Sequence, residues 1–545
     1  MDVPGRKYVA TKLHTLRTLT AAGVVRPTRP DRILGAVRAL LSFGATPAAG
    51  YAVSALRTPD TPAIIDDQGE LSFAQIHRRT NALARALAGA GIAQGDRVAL
   101  MARNGRGWVE PVIACSKLGA DVVFLNTAFS GPQLEDVCAR EDVKAVVHDA
   151  EFTAVLDAAA GGRLRLIAHH EPGDELAADT LEQRMDGGDG SDLPAPSTPG
   201  KAIILTSGTT GTPKGASRAQ PRSLDPAAAL LDVIPLRARE RTLIAAPLFH
   251  AWGFAHFTLG MALSSTLVLR RRFDPEATVE LVERHGCTAL VVVPVMLQRI
   301  LELPEEAQRR HGLSRLRAVA VSGSPLPGAL SDRWMATFGE NLYNLYGSTE
   351  VAWATIATPR DLKEAPGTAG RPPYGTIVRL FDEGGRPVTE PGVVGRIFVG
   401  NELAFEGYTG GGGKDAIDGL LSSGDVGHFD AAGRLHVDGR DDDMIVSGGE
   451  NVFPAEVEDL LHGHPAIAEA AVFGVADERF GQRLRAVVVL RDGETLDEDA
   501  VKAYVKRNLA GYKAPRDVVF VDELPRTATG KVLKRDLRDA VDATG

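Results

Sequence analysis

The sequence predicts an α/β protein of more than one domain, and three observations carry that expectation. Short apolar runs alternate with helical patterns from about residue 63 onward. A Gly- and Pro-rich stretch with short alternating runs interrupts them between about 365 and 440. At 545 residues, the chain also exceeds the size at which a single core usually keeps growing.

The first 50 residues form a basic extension. Arg6, Lys7, Lys12, Arg17, Arg26, Arg29, Arg32 and Arg38 face only Asp2 and Asp31, and Ile33, Val37, Leu40 and Leu41 recur at helical spacing. A basic amphipathic helix of this kind either packs on its parent domain or makes weak peripheral contact with an anionic membrane. Residues 81–87 read as helix and 95–101 as a turn into a strand. Residues 289–294 and 318–323 read as buried strands ending in proline or glycine. Ligands in such sheets sit beyond the strand C-termini. The alternation at 395–399 points to a small antiparallel β region, with a four-glycine turn at 410–413. Beyond Gly439, helical patterns near 454–462 and 498–509 and strands near 470–475 and 485–491 make a unit the size of a small domain.

Composition excludes several classes. A formal charge of −9, from 61 Lys+Arg against 70 Asp+Glu, argues against a nucleic-acid binder. Cys115, Cys138 and Cys287 are widely spaced, which fits a reducing compartment and neither a disulfide framework nor a thiolate metal site. There is no apolar run of about 18 residues to span a membrane, and no signal-peptide core. The expectation is a cytoplasmic monomer or homodimer.

The most informative stretch is 205–216, Leu-Thr-Ser-Gly-Thr-Thr-Gly-Thr-Pro-Lys-Gly-Ala, following an apolar strand at 202–205. Gly208, Gly211 and Gly215 permit close backbone approach. Thr206, Ser207, Thr209 and Thr210 offer hydroxyls, and Lys214 adds a positive charge, so the loop suits a phosphate. Pro213 and Gly215 break the G-x-x-x-x-G-K-[ST] pattern, so it is not a Walker loop.

Six further stretches mean little singly. His250, Trp252, Gly253 and Phe254 place a histidine among aromatic and small residues; Gly323-Ser324-Pro325 ends a strand; Tyr346-Gly347-Ser348-Thr349-Glu350 combines a ring, hydroxyls and a carboxylate. Ser423-Gly424-Asp425 and Arg440 read as turns, and Lys531 after Gly530 as a surface lysine.

In their joint order these motifs resemble, over roughly residues 50–540, the acyl- and aryl-CoA synthetase branch of the adenylate-forming superfamily. The resemblance implies a large N-terminal domain, 51–441, of two α/β subdomains and a small β-barrel. A hinge at Asp442 leads to a smaller mobile α+β domain, 442–545. The 206–215 loop with Lys214 would hold the ATP β- and γ-phosphates. Gly323, Ser324, Pro325, Tyr346 and Gly347 would line the adenine site. Thr349 would touch the α-phosphate, Glu350 would hold Mg²⁺, and Asp425 with Arg440 would meet the ribose. Lys531 would reach the α-phosphate and the attacking carboxylate. Ser447, Gly448 and Gly449 would face the coenzyme A thiol channel, and His250, Trp252, Gly253, Phe254 and Gly323 the acid. The implied reaction activates an acid, expected to be a medium- or long-chain fatty acid, as acyl-AMP with release of pyrophosphate, then transfers it to CoA. An aryl-CoA ligase, or an acyl-AMP ligase loading a carrier-protein thiol, are the alternatives.

Overall fold

The computed structural model describes residues 4–540 apart from 28, 207–213, 219–222, 311–312, 404, 410, 442, 444, 448–449, 478–480, 528–529, 535 and 539. Two mostly parallel sheets form the large domain. In the first, strands Ala202–Thr206, Asp121–Phe124, Arg97–Met101, Val143–Asp149 and Leu164–His169 run parallel. Lys214–Arg218 and then Phe405–Tyr408 extend one edge in antiparallel fashion. The second has a parallel centre of Leu342–Ser348, Ala318–Val321, Ala289–Val292, Arg241–Ile244, Thr266–Leu269 and Pro62–Asp66. Its two edges, Ala352–Ala357 and Gly69–Ser72, are antiparallel.

Their central strands are apolar along nearly their whole length, as strands covered on both faces must be. Ala289–Val292 and Ala318–Val321 are buried at every residue. One core joins the two sheets, taking in Leu100 and Phe124 from the first, Leu243 and Leu267 from the second, and Leu83 and Trp108 from helices Phe73–Gly89 and Arg106–Leu118. The first of these helices starts where Ser72 and Gln75 cap each other reciprocally, satisfying two otherwise orphaned amide donors.

The β region is a six-stranded antiparallel sheet built on Ile377–Phe381, Gly395–Gly400, Leu420–Phe429 and Leu435–Arg440. Among the described residues, no strand pairing closes it into the expected barrel. The small domain packs helices Pro454–His462 and Glu498–Asn508 on the long hairpin Ile467–Asp477 and Gly481–Leu490, around Val457, Leu461, Val472 and Val505. Asp442 lies outside the described residues.

The extension is helical over Pro4–Ala21 and Pro30–Phe43. The boundary expected at residue 50 falls inside a further helix, Pro47–Arg57. Thr46 accepts from the Ala49 amide and Pro47 takes the first turn, so the helix begins at its cap and carries the extension into the large domain.

Candidate active site

The ends of the second sheet, the antiparallel sheet and the small domain meet around one cavity of about 1410 Å³. Its walls include Gly323, Ser324, Pro325, Tyr346, Gly347, Thr349, Glu350, Asp425, Arg440 and Lys531, so residues from five separate stretches converge.

Strand Leu342–Ser348 carries Tyr346 to the cavity through a bulge. The register shifts between Tyr346 and Gly347, and a Cβ on Gly347 would lie 2.0 Å from the Ala352 carbonyl oxygen, so only glycine fits. The Tyr346 hydroxyl donates to Asp425 Oδ2 at 2.5 Å and approaches Ser423 Oγ at 3.1 Å. Arg440 stands opposite Asp425 across the strand pair, its Nε 3.7 Å from Oδ1. Burial pushes the Asp425 carboxyl above its ordinary range, while Tyr346, Arg440 and Lys531 pull it back. Burial, and then the neighbouring Asp425, hold the Tyr346 phenol well above its own range, so it stays a donor.

Lys531 arrives from the small domain on a tight loop. The Thr527 amide donates to the Lys531 carbonyl at 2.8 Å, and the Lys531 amide returns a bond to Thr527 Oγ1 at 3.1 Å. Gly530 has φ +79°, and a Cβ there would lie 2.5 Å from Val295 Cγ1. The loop is thus seated on Val293 and Val295 of the large domain, with the exposed Lys531 side chain on the Asp425 side of the cleft.

Residues 207–213, and with them Ser207, Gly208, Thr209, Thr210 and Gly211, lie outside the described residues; the flanks do not. Thr206 pairs with Lys214 and Leu205 with Gly215, so the loop is anchored across an antiparallel hairpin. Gly215 has no room for a side chain, since a Cβ would meet Thr409 Oγ1 at 2.6 Å and Ile203 Cγ2 at 2.9 Å. Lys214 Nζ lies 5.5 Å from the centre of the Tyr408 ring, and the Tyr408 hydroxyl donates to Glu350 Oε1 at 2.8 Å. Ser348 Oγ donates to the other oxygen of Glu350 at 3.0 Å. Thr409 donates to the fully buried Glu141, which also binds Arg97 and Arg140, and its amide donates to the Gly215 carbonyl at 2.9 Å.

Sequence reasoning missed Tyr408, Thr409 and Glu141. They carry no motif: the edge pairing of Phe405–Tyr408 with Lys214–Arg218 brings Tyr408 and Thr409 to the loop, and Glu141 meets Thr409 from the C-terminal end of helix Gly131–Arg140. No group of three or more metal-ligating side chains occurs among the described residues. A Mg²⁺ ion here would rest on Glu350 together with phosphate oxygens. That donor set suits a hard cation which keeps several waters and uses few protein ligands.

Helix Ala251–Leu263 walls the opposite end of the cavity with Trp252, Phe254, Ala255 and Thr258. Trp252 is locked by a 3.0 Å bond from its indole nitrogen to the Val292 carbonyl. His250 lines the cavity with an unpartnered Nε2, and burial pushes its pKa down to about 4, so it is neutral at physiological pH. Gly323, with φ +100° and Val293 3.3 Å from its would-be Cβ, keeps the floor clear.

Gly253 requires a correction. It does not line the cavity; a Cβ there would lie 2.2 Å from the Pro247 carbonyl oxygen, so its smallness serves close packing of the helix on residues 247–248. Ser447 is not brought to the cavity either. Ser447 pairs with Glu450 and Gly481 in the small-domain sheet and is not a cavity residue, while Gly448 and Gly449 lie outside the described residues.

The AMP-binding enzyme family matches residues 51–409, and the C-terminal domain of AMP-binding enzymes matches residues 456–531. A feruloyl-CoA synthase of Amycolatopsis is 37% identical over 486 residues, 88% of this chain and 96% of that one. An indoleacetate–CoA ligase of Aromatoleum aromaticum is 36% identical over 492 residues, covering 89% and 96%. Among solved structures, ATP-bound MatB from Rhodopseudomonas palustris superposes with a TM-score of 0.81 at 28% identity, covering 90% of this chain and 98% of that one. The chain belongs to the AMP-binding enzyme family. Within it, the chain is an acid–thiol ligase of the AMP-forming kind.

Two outcomes are expected. Tyr346→Phe keeps the ring but removes the donor that holds Asp425 ionised, so the Asp425 pKa rises further. The acid limb of kcat/KM for ATP then moves to higher pH, and kcat/KM near neutrality falls roughly tenfold, the scale of one lost bond to a buried charge; an unmoved acid limb would separate Asp425 from ATP binding. Gly253→Ala costs about 1–3 kcal/mol of stability by overpacking, read from the denaturant midpoint, and leaves acid preference unchanged in a substrate panel.

Proposed function

We propose that this enzyme joins an apolar carboxylic acid to coenzyme A, and that acids carrying an aromatic ring are its first choice. The observation that carries the reading is the helix Ala251–Leu263. It contains no Asp, Glu, Lys or Arg, and burial pushes its His256 and the preceding His250 down to about 4. This helix therefore presents no charge at neutral pH to pair with a second substrate carboxylate, and Trp252 and Phe254 offer ring surfaces. The names of the feruloyl and indoleacetate relatives support an aryl acid. A second reading, an extended aliphatic acid, is favoured by the cavity's continuation past Met261 to Leu40 and Val24.

In the first half-reaction an acid oxygen attacks the α-phosphorus of ATP, forming the mixed anhydride and breaking the bond to the pyrophosphate oxygen. The nucleophile is already an anion, so no base is needed; positioning and charge neutralisation lower the barrier. Lys531 would stabilise the charge growing between acid and phosphate. Lys214 and the 206–211 loop would hold the leaving pyrophosphate, with Thr349 on the α-phosphate. Tyr346 and Gly323–Pro325 would hold the adenine, and Asp425 with Arg440 the ribose. Mg²⁺ on Glu350 would neutralise phosphate charge. In the second half the CoA sulfur attacks the acyl carbon, the thiol proton passes to solvent, and AMP leaves. Ser447, Gly448 and Gly449 would line the thiol path after the small domain turns about Asp442. Here Lys531, not Ser447, lies at the cavity, which suits the first half.

A panel of cinnamate-type and straight-chain acids, scored by AMP release with and without CoA, tests the reading. Faster turnover of a dicarboxylate than of its apolar analogue would overturn the apolar acid; decanoate outrunning every aryl acid would select the aliphatic reading. CoA-independent AMP release with a carrier-protein thiol would replace CoA as the acceptor. Lys531→Ala should lower pyrophosphate release at least about 100-fold, the scale for one lost transition-state donor, and spare thioester formation from preformed acyl-AMP. Equal loss in both halves would refute the assigned role of Lys531.

A further inference from the structure

Helix Pro30–Phe43 is seated on the protein along one side only. Ala39 is buried, a Cβ on Gly35 would lie 2.9 Å from Leu56 Cδ1, and Arg32 donates to the Arg57 carbonyl at 2.9 Å. Its other side offers Ile33, Leu34, Val37, Leu40 and Leu41 to solvent, with Leu34 72% and Leu41 83% exposed. Leu13 and Leu16 of helix Pro4–Ala21 are also exposed. Single exposed aliphatics need no explanation, but five on one face of one helix do.

The charge around this face has one sign. Arg17, Arg26 and Arg38 are exposed, and the acid described in the segment, Asp31, is bound to Arg29 at 3.2 Å. Behind the face, Arg57 Nη1 donates to the Val24 carbonyl at 3.3 Å and Arg239 Nη2 to the Gly23 carbonyl at 2.7 Å. Two guanidiniums therefore rest on adjacent carbonyls of one turn, with Arg26 just beyond. Burial, then neighbouring arginines, hold Arg57 and Arg239 below their ordinary range. The active-site cavity reaches the same place, for Val24, Leu40, Val53 and Arg57 line its far end.

We propose that the N-terminal helices dock on an anionic lipid bilayer. Leu34, Val37 and Leu41 enter the acyl-chain boundary, Arg26 and Arg38 meet lipid phosphates, and the apolar acid enters the cavity beside Leu40 and Val24. The entry route rests on the apolar-acid reading; the docking does not. The chain as a whole carries −9, so a basic face fixes which side turns toward a negative surface. A second copy of the chain fits less well, because a two-fold contact through this face would bring like charges together.

Co-sedimentation of the full chain with phosphatidylcholine vesicles, with and without one third phosphatidylglycerol, tests the docking without needing turnover. Binding should be at least tenfold stronger to the anionic vesicles and fall with added salt. It should drop at least tenfold in Leu34→Asp/Leu41→Asp and in Arg26→Glu/Arg38→Glu. Both variants should keep wild-type turnover of a short water-soluble acid, and lose turnover of a long acid supplied in the vesicles. No binding, or equal binding to both vesicle types, overturns the proposal. So does a dimer in solution that Leu34→Asp/Leu41→Asp converts to monomer while vesicles are ignored. If vesicles are bound but acids of every class are refused, the substrate reading fails and the docking stands.

Discussion

The arrangement of this site depends on one van der Waals contact, Gly530 against Val295. A lysine carried on a separate domain stands in the cleft only if that domain presents it at a fixed depth, and depth is set here by backbone meeting an aliphatic side chain. A larger residue at 530 would hold the loop away from Val295 and carry Lys531 out of reach of the Asp425 side of the cleft. The bonds within the loop, Thr527 to Lys531 and back, keep its shape. The contact with Val295 supplies its position.

Inside the cleft the opposite logic holds. Asp425 is a buried carboxylate, which is costly unless it is answered, and the protein's own Tyr346, Ser423 and Arg440 answer it. Bonds of this kind fix the carboxylate in one orientation. They also explain why Tyr346 needs its hydroxyl as well as its ring.

Much of this was legible in the sequence because the chemistry is local. Tyr346 and Glu350 are four residues apart, and buried strands such as Ala289–Val292 announce themselves by unbroken apolarity. The hairpin that flanks residues 207–213 could be read from the apolar run at 202–205 and the glycines after it. What escaped depends on pairing across long separations. Tyr408 and Thr409 gain meaning only because Phe405–Tyr408 lies beside Lys214–Arg218, and no periodicity in either stretch foretells that. Gly253 misled for a related reason. A glycine beside Trp252 looks like space left for a ligand, whereas the carbonyl of Pro247 already occupies that space. A small residue in a sequence marks a close approach, but it does not say by what.

The edge strand Phe405–Tyr408 has one more consequence. It leaves the antiparallel sheet region to become the last strand of the first α/β sheet, so it rivets together parts of the large domain that are far apart in sequence. Through Tyr408 the same rivet spans Lys214 and Glu350. A body pinned in this way has little play between its own layers. The large domain thereby has a fastening of its own, made by one short strand and independent of the smaller domain.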